Sequence, residues 1–185
     1  MTAFLVVSVV VLAVLVVVQG LVLLEMVRQT AQIRRLLDID DRPTPISLGS
    51  LAGRPLPEPA RALWNGGPGD GVVVLLSTDC ATCRLVAGGL RGLLDRFEQH
   101  RIVTVLQAHH HDEAAEMLAA AGLVQDEIVL DLEREYGAAL GIALRPAAVI
   151  VRDGIVSEGA TVRNARQLQQ LLEALETSRR EVVEV

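Results

Sequence analysis

The sequence predicts an α/β domain, a central mixed sheet flanked by helices on both faces, preceded by one N-terminal transmembrane helix. Three observations predict it. Ala3–Leu24 is a long apolar run without a charge. Beyond the breaker DRPTP (Asp41–Pro45), short apolar runs alternate with amphipathic segments, the pattern of crossover βα units. Near the end, two apolar runs are separated only by Asp153-Gly154, the signature of a tight hairpin.

The first run, AFLVVSVVVLAVLVVVQGLVLL, has only Ser8 and Gln19 as polar side chains. As a helix of about 22 residues it rises roughly 33 Å, enough to cross the hydrocarbon core. It has no basic n-region and no A-x-A site, so it reads as an uncleaved anchor and not as a signal peptide. Residues 3–24 are therefore expected to contact membrane lipid. EMVRQTAQIRRLLDID (Glu25–Asp40) continues the helix with a weak apolar stripe. The prolines of DRPTP disfavour helix in the residues before them, which puts the domain boundary near residue 42: an anchor and juxtamembrane helix over 1–41, a folded domain over 42–185.

Within that domain, ISLGSLAGRPLP (Ile46–Pro57) predicts a short hairpin turning at Ala52-Gly53. NGGPGDG (Asn65–Gly71) reads as a flexible loop, because no Gly-Lys-Ser/Thr follows to make it a phosphate cradle. GVVVLLS (Gly71–Ser77) is a buried strand and Cys80–His100 a helix. RIVTVLQA (Arg101–Ala108) is a strand and Asp112–Leu123 a helix. Asp126–Asp131 is a shorter strand and Leu132–Ile142 a short helix. Ala147–Gly154 and Ile155–Val162 form the hairpin. Asn164–Arg180 is an amphipathic closing helix capped by Asn164, and EVVEV (Glu181–Val185) a frayed tail. Crossover helices make the first strands parallel, and the hairpin adds an antiparallel pair.

The composition narrows the function. The chain of 185 residues has a formal net charge of −6 and only 2% aromatic residues, which argues against a nucleic-acid partner. Its only two cysteines, Cys80 and Cys83, lie in CATCR, at a strand-to-helix junction. Unpaired N–H groups and the positive dipole end stabilise a thiolate in a first helical turn. Cys83 falls one turn later and further inside. The exposed sulfur of Cys80 attacks, the inner one of Cys83 resolves, and C-x-x-C beside a βαβ pattern is a redox signature. Asp79 supports the helix as an N-cap yet opposes a thiolate at Cys80, while Arg84 and Arg145 oppose Asp79. His109, His110 and His111 read as a polar loop and not as metal ligands, since adjacent histidines point apart and no further cysteine pair is present. Asp112-Glu113 and Glu133-Glu135 read as solvated faces. No metal and no cofactor is expected.

The C-x-x-C helix start, followed by LRPAAVIVRDG and EGATVRNARQLQQLLEAL, resembles the thioredoxin fold. With the apolar anchor, it is most similar to membrane-anchored members, the TlpA/ResA-like and methylamine utilisation protein D groups. The likeness spans roughly residues 44–178. It implies a thiol–disulfide oxidoreductase acting on protein thiols or disulfides. It also implies that Pro146 is cis and lies against both sulfurs, and that Arg145 offers its backbone to a substrate segment. The chain departs from the pattern at Asp79, where thioredoxin has Trp, and at Ala81-Thr82, in place of Gly-Pro. Arg145 stands where Thr, Ile or Val is common before the proline, and GVVVLLS lacks the buried carboxylate many relatives use for proton transfer.

Two other readings stay open: a copper carrier using the thiolates, and a thioredoxin-like adaptor without catalysis. Arg28, Arg34 and Arg35 flank the anchor and favour a cytoplasmic domain by the positive-inside rule. The resemblance implies the opposite, a single-pass protein of the cell membrane with its domain outside, where disulfides form. A membrane electron-transfer partner is then expected beside the protein substrate.

Overall fold

Short apolar runs bounded by turn residues fold into a six-stranded sheet in the computed structural model, which describes residues 15–28, 42–64, 69–98 and 100–183. The chain separates into two units, Met1–Asp41 and Arg42–Val185. In the first, residues 15–28 form a helix, α1, with Leu15, Val16, Val17, Val18 and Leu21–Leu24 all exposed. The start of the Ala3–Leu24 run lies outside the described residues, as does most of the juxtamembrane stretch. Among the described residues no helix is long and apolar enough to cross a membrane.

The second unit runs β1 (Thr44–Ile46), α2 (Ala60–Leu63), β2 (Gly71–Ser77), α3 (Ala81–Arg96), β3 (Arg101–Gln107) and α4 (His111–Ala121). It continues through β4 (Ile128–Asp131), α5 (Glu135–Ala139), β5 (Ala147–Arg152), β6 (Ile155–Thr161) and α6 (Ala165–Val183). The strand order is β1-β6-β5-β2-β3-β4. The α3 and α4 crossovers make β2, β3 and β4 parallel; β5 runs antiparallel to β2, and β6 to β5.

Every residue of β2 is buried, because the strand is central and both faces are covered. Alternate side chains enter different cores. Val72, Val74 and Leu76 pack with Val86, Leu90 and Phe97 of the α3 segment and with Leu168, Leu172 and Leu175 of α6. Val73 and Leu75 pack on the other side with Leu56, Trp64 and Leu140. The α6 leucines are almost wholly buried, and each contributes about 1.5–3 kcal/mol over exposure. Gly89 lets α3 approach the start of α6: a Cβ there would overlap the Ala165 side chain.

Several expected elements differ. Ile46–Pro57 is not a hairpin. β1 pairs with the free edge of β6, and Gly53, Arg54 and Pro55 reach the other end of that strand, so both halves satisfy their backbone on β6 and not on one another. A short helix, α2, precedes Trp64 where none was expected. α3 stops at Arg96, because Phe97 turns into the core and its carbonyl accepts from His100 N. β4 starts at Ile128, after a 3-10 turn over Gln125–Glu127. α5 is confined to Glu135–Ala139 by left-handed residues on either side, Arg134 (φ 60°) and Gly141 (φ 61°). α6 begins as expected, with Gln167 N donating to Asn164 Oδ1 at 2.9 Å, but extends through Val183.

This topology determines what meets at one edge of the sheet. Parallel register places Ser77 beside Gln107, so the turn after β2 adjoins the loop after β3. Antiparallel pairing of Leu75 with Ala147 brings the start of β5 to the same edge.

Candidate active site

β2 ends at Ser77, and the chain turns through Thr78 and Asp79 into α3. Cys80 is the N-cap of α3, with extended backbone (φ −107°, ψ 114°). Its sulfur accepts a hydrogen bond from Cys83 N at 3.2 Å. An N-cap acceptor satisfies one of the orphan N–H groups of the first turn, and here a sulfur does the work usually done by an oxygen. Cys80 is partly exposed and Cys83 fully buried; both are free thiols. Burial, first of all, pushes the Cys83 thiol from 9.0 up to about 12; its hydrogen bond with Cys80 pushes the same way, and Arg145 opposes it.

The Arg145–Pro146 peptide is cis, as is Glu58–Pro59. Pro146 is buried, and the Cys80 thiol donates to the Arg145 carbonyl at 3.6 Å. The Arg145 side chain turns back into the domain. Its Nη1 donates to the carbonyls of Ile142 (2.7 Å) and Leu144 (2.9 Å), and its Nη2 occupies the space a Cβ would take on Gly137. Burial lowers its pKa, while the carboxylate of Asp131 and the Cys83 sulfur raise it. Arg145 therefore rivets the loop that presents its own carbonyl to Cys80.

Asp79 is not the N-cap. That position belongs to Cys80, and the Asp79 carboxylate reaches out to His109 Nε2 at 2.9 Å. Arg84 Nη2 donates to the Thr78 carbonyl at 3.2 Å, which holds the guanidinium over the turn before the cysteines. The structure thus brings Cys80, Cys83, Arg145 and Pro146 together, with Asp79 and Arg84 at the rim.

Sequence reasoning missed three residues. His109 does lie in an exposed loop, but its bond to Asp79 is unexpected, and Glu113 is more than a solvated face. Glu113 Oε2 instead accepts from Thr78 Oγ1 and from His109 N, both at 3.3 Å, so it bridges the two loops at the site edge. The position of His109 is legible, after β3 and on the sheet edge that carries the cysteines; its partner Asp79 is not. The third is Asp131, a buried carboxylate at the end of β4 whose Oδ1 accepts from Glu135 N at 2.9 Å. β2 has no carboxylate, and this one comes from a different strand. Among the described residues no group of three His, Cys, Asp or Glu side chains is placed to hold a metal ion.

Much of the chain is similar to known structures. A thioredoxin-like protein solved in solution in its oxidised form matches with a TM-score of 0.59 at 15% identity, over 72% of this chain and 99% of that one. The fold is thioredoxin-like. The dsbF protein of MTB, solved in mixed oxidised and reduced forms, matches at 0.52 with 18% identity, over 68% of this chain and 84% of that one. A Chlorobium tepidum protein assigned as the thiol:disulfide interchange protein DsbE matches at 0.50 with 12% identity, over 61% and 83%. No family model and no curated protein matches the chain. In thioredoxin-like terms, the C-x-x-C lies at the start of the first crossover helix, facing a cis-proline loop.

Proposed function

We propose that this protein is a membrane-tethered thiol–disulfide oxidoreductase acting on protein substrates through Cys80 and Cys83. The observation that carries the reading is the asymmetric dithiol. One sulfur is partly exposed on the first turn of α3, the other is buried behind it, and the Arg145 carbonyl lies over the outer one. The similar thioredoxin-like structures named above for disulfide chemistry support the same reading.

In the reducing direction, the Cys80 thiolate attacks one sulfur of a substrate disulfide. A Cys80–substrate bond forms, the substrate S–S bond breaks, and the departing thiolate takes up a proton. Cys83 then loses its proton and attacks Cys80 Sγ. The Cys80–Cys83 disulfide forms and the second substrate thiolate leaves. Two electrons pass from the dithiol to the substrate, and the reverse sequence oxidises one. Pro146 and the Arg145 backbone border the sulfur where the substrate chain must lie; Asp79, Arg84 and the Arg145 side chain set the local charge.

The anchor rests on the uncharged run Ala3–Leu24 and on α1, which exposes apolar side chains all round where a soluble helix would bury a stripe. In this reading residues 1–41 hold the 42–185 domain at the outer face of the cell membrane, beside a membrane electron-transfer partner. A membrane-impermeant thiol label on intact, reduced spheroplasts tests the orientation: labelling of Cys80 only after lysis places the domain inside.

The test of the chemistry is trapping. Cys83→Ser accumulates a mixed disulfide with substrate protein in cells, and Cys80→Ser does not. Trapping by Cys80→Ser alone reverses the roles. A Cys80–Cys83 couple that fails to exchange with glutathione removes the oxidoreductase reading.

A further inference from the structure

We propose that His109, held on Asp79, is a positioning residue that controls the reactivity of Cys80 by cancelling, when its ring is protonated, the carboxylate charge that precedes this cysteine. The inference rests on Cys80 being the attacking sulfur. Asp79 immediately precedes Cys80 and so places a carboxylate one residue from the cysteine that attacks. That carboxylate is engaged by an imidazole from a different loop, at 2.9 Å. Imidazole is the side chain whose charge changes closest to neutral pH. When the ring is protonated, the pair is neutral overall and Cys80 loses an unfavourable neighbour. When the ring is neutral, the full carboxylate charge acts on Cys80.

The other groups around the ring come from each neighbouring segment. Arg134 Nη2 lies 3.4 Å from the same Nε2. One nitrogen cannot donate to Asp79 and accept from Arg134 at once, and the shorter contact assigns its proton to Asp79. Arg134 and Asp79 therefore bring opposite charges to the same ring nitrogen. Glu113 of α4 takes the His109 backbone N–H. Arg84 of α3 is spent on the Thr78 carbonyl. His110, His111 and Asp112, on the same segment as His109, are exposed.

Arg134 adds an independent observation. It is one of two non-glycine residues with positive φ among the described residues, at 60°. Such a backbone is uncommon outside Gly, Asn and Asp. Here it ends β4's loop and aims the guanidinium at His109. Residues of two other loops thus meet the His109 imidazole, and one of them, Asp79, immediately precedes the attacking cysteine.

The test is the pH profile of Cys80 alkylation in the reduced full-length protein in detergent, read on the Cys80 peptide by mass spectrometry. Asp79 and His109 are 60% and 48% exposed, so neither substitution threatens the fold. Exposure also screens the effect to about threefold. His109→Gln is expected to alkylate about threefold more slowly than wild type at pH 6 and equally at pH 9. Asp79→Asn, which removes the carboxylate and releases the ring, is expected to match wild type at pH 6 and to react faster at pH 9, and in that background His109→Gln has no further effect. The wild-type to His109→Gln ratio shrinks in 1 M salt, where the Debye length is about 3 Å. A ratio that is flat with pH, or one that persists in the Asp79→Asn background, overturns the proposal. Because Cys80 alkylation needs neither Cys83 nor a substrate, it is read whether or not the couple exchanges with glutathione; failure of that exchange counts against the oxidoreductase reading alone.

Discussion

The two thiols should differ in reactivity by a factor that follows from the burial of Cys83. Its pKa is pushed from 9.0 to about 12, roughly three units, which cuts its thiolate fraction at neutral pH by about a thousandfold. A more basic thiolate is intrinsically more nucleophilic. With a Brønsted slope of about 0.5, three units return a factor of about 30. The net expectation is alkylation about 30-fold slower than for an ordinary thiol, before any steric shielding of a side chain with no accessible surface. The assay is a time course of reduced protein with a small alkylating reagent at pH 7.5, quantified separately on the two cysteines. Cys83→Ser should leave the fast phase intact, and Cys80→Ser should leave only the slow one. Because Cys80 lies 3.2 Å from the Cys83 amide and raises the Cys83 pKa, Cys80→Ser should also speed the slow phase modestly. Equal rates at the two cysteines, or a fast phase that survives Cys80→Ser, would refute the argument from burial and with it the division into attacking and resolving sulfurs.

Arg145→Met removes a cation that lowers the Cys83 pKa and two hydrogen bonds that hold the Ile142–Leu144 turn; a mixed disulfide on Cys80 should then resolve several-fold more slowly. Arg145→Lys should restore less than half of that loss, since an ammonium cannot reproduce the guanidinium fork. Gly89→Ala should destabilise by about 1–3 kcal/mol in urea unfolding, because the overlap with Ala165 outweighs the roughly 1 kcal/mol that alanine adds to a helix; a stabilised variant would mean that α3 and α6 can separate without cost. The reduced protein should lose stability between pH 9 and about 12. A raised folded pKa contributes fully below the unfolded value of 9.0 and is lost as pH rises through about 12. The chain has no lysine and one tyrosine, Tyr136, itself raised from 10.0 by burial, Asp131 and Glu135, so few other groups titrate in that window. Denaturation at pH 8 to 11.5 should show a shallower decline for Cys83→Ala, whatever its stability at pH 8.

What the sequence revealed and what it hid divide along physical lines. Gly71–Ser77 was legible because an unbroken apolar run flanked by glycine and a polar turn has few homes other than a central strand. The hairpin at Asp153-Gly154 was legible because φ is positive at both residues, 50° and 78°, and that dipeptide suits the turn. The dithiol was legible because its chemistry is local, two sulfurs one helical turn apart. Ile46–Pro57 misled because its turn signal is real, with Gly53 at φ 77°, but the strands it joins pair elsewhere. Nothing in a local pattern states that β6 has a free edge. His109 and Glu113 were hidden for the same reason: their partners, Asp79 and Thr78, lie 30 and 35 residues away and become neighbours only through parallel register.

A β2 without a carboxylate has a consequence for the chemistry. A carboxylate beneath the dithiol would couple to both sulfurs through one low-dielectric path. Here the charges arrive from loops, and they fall into two separated groups. Asp79, His109 and Arg134 are exposed and bonded to one another at the rim of Cys80. The Arg145 guanidinium and Asp131 are more deeply set, and the cation acts on Cys83. Exposed charges are screened by salt, and buried ones far less. The outer sulfur is therefore open to adjustment by pH and ionic strength, while the inner one is set by packing. Attack responds to surroundings, and resolution follows at a rate the fold determines. Such a division suits a domain that must meet varied protein thiols and complete each exchange in the same way.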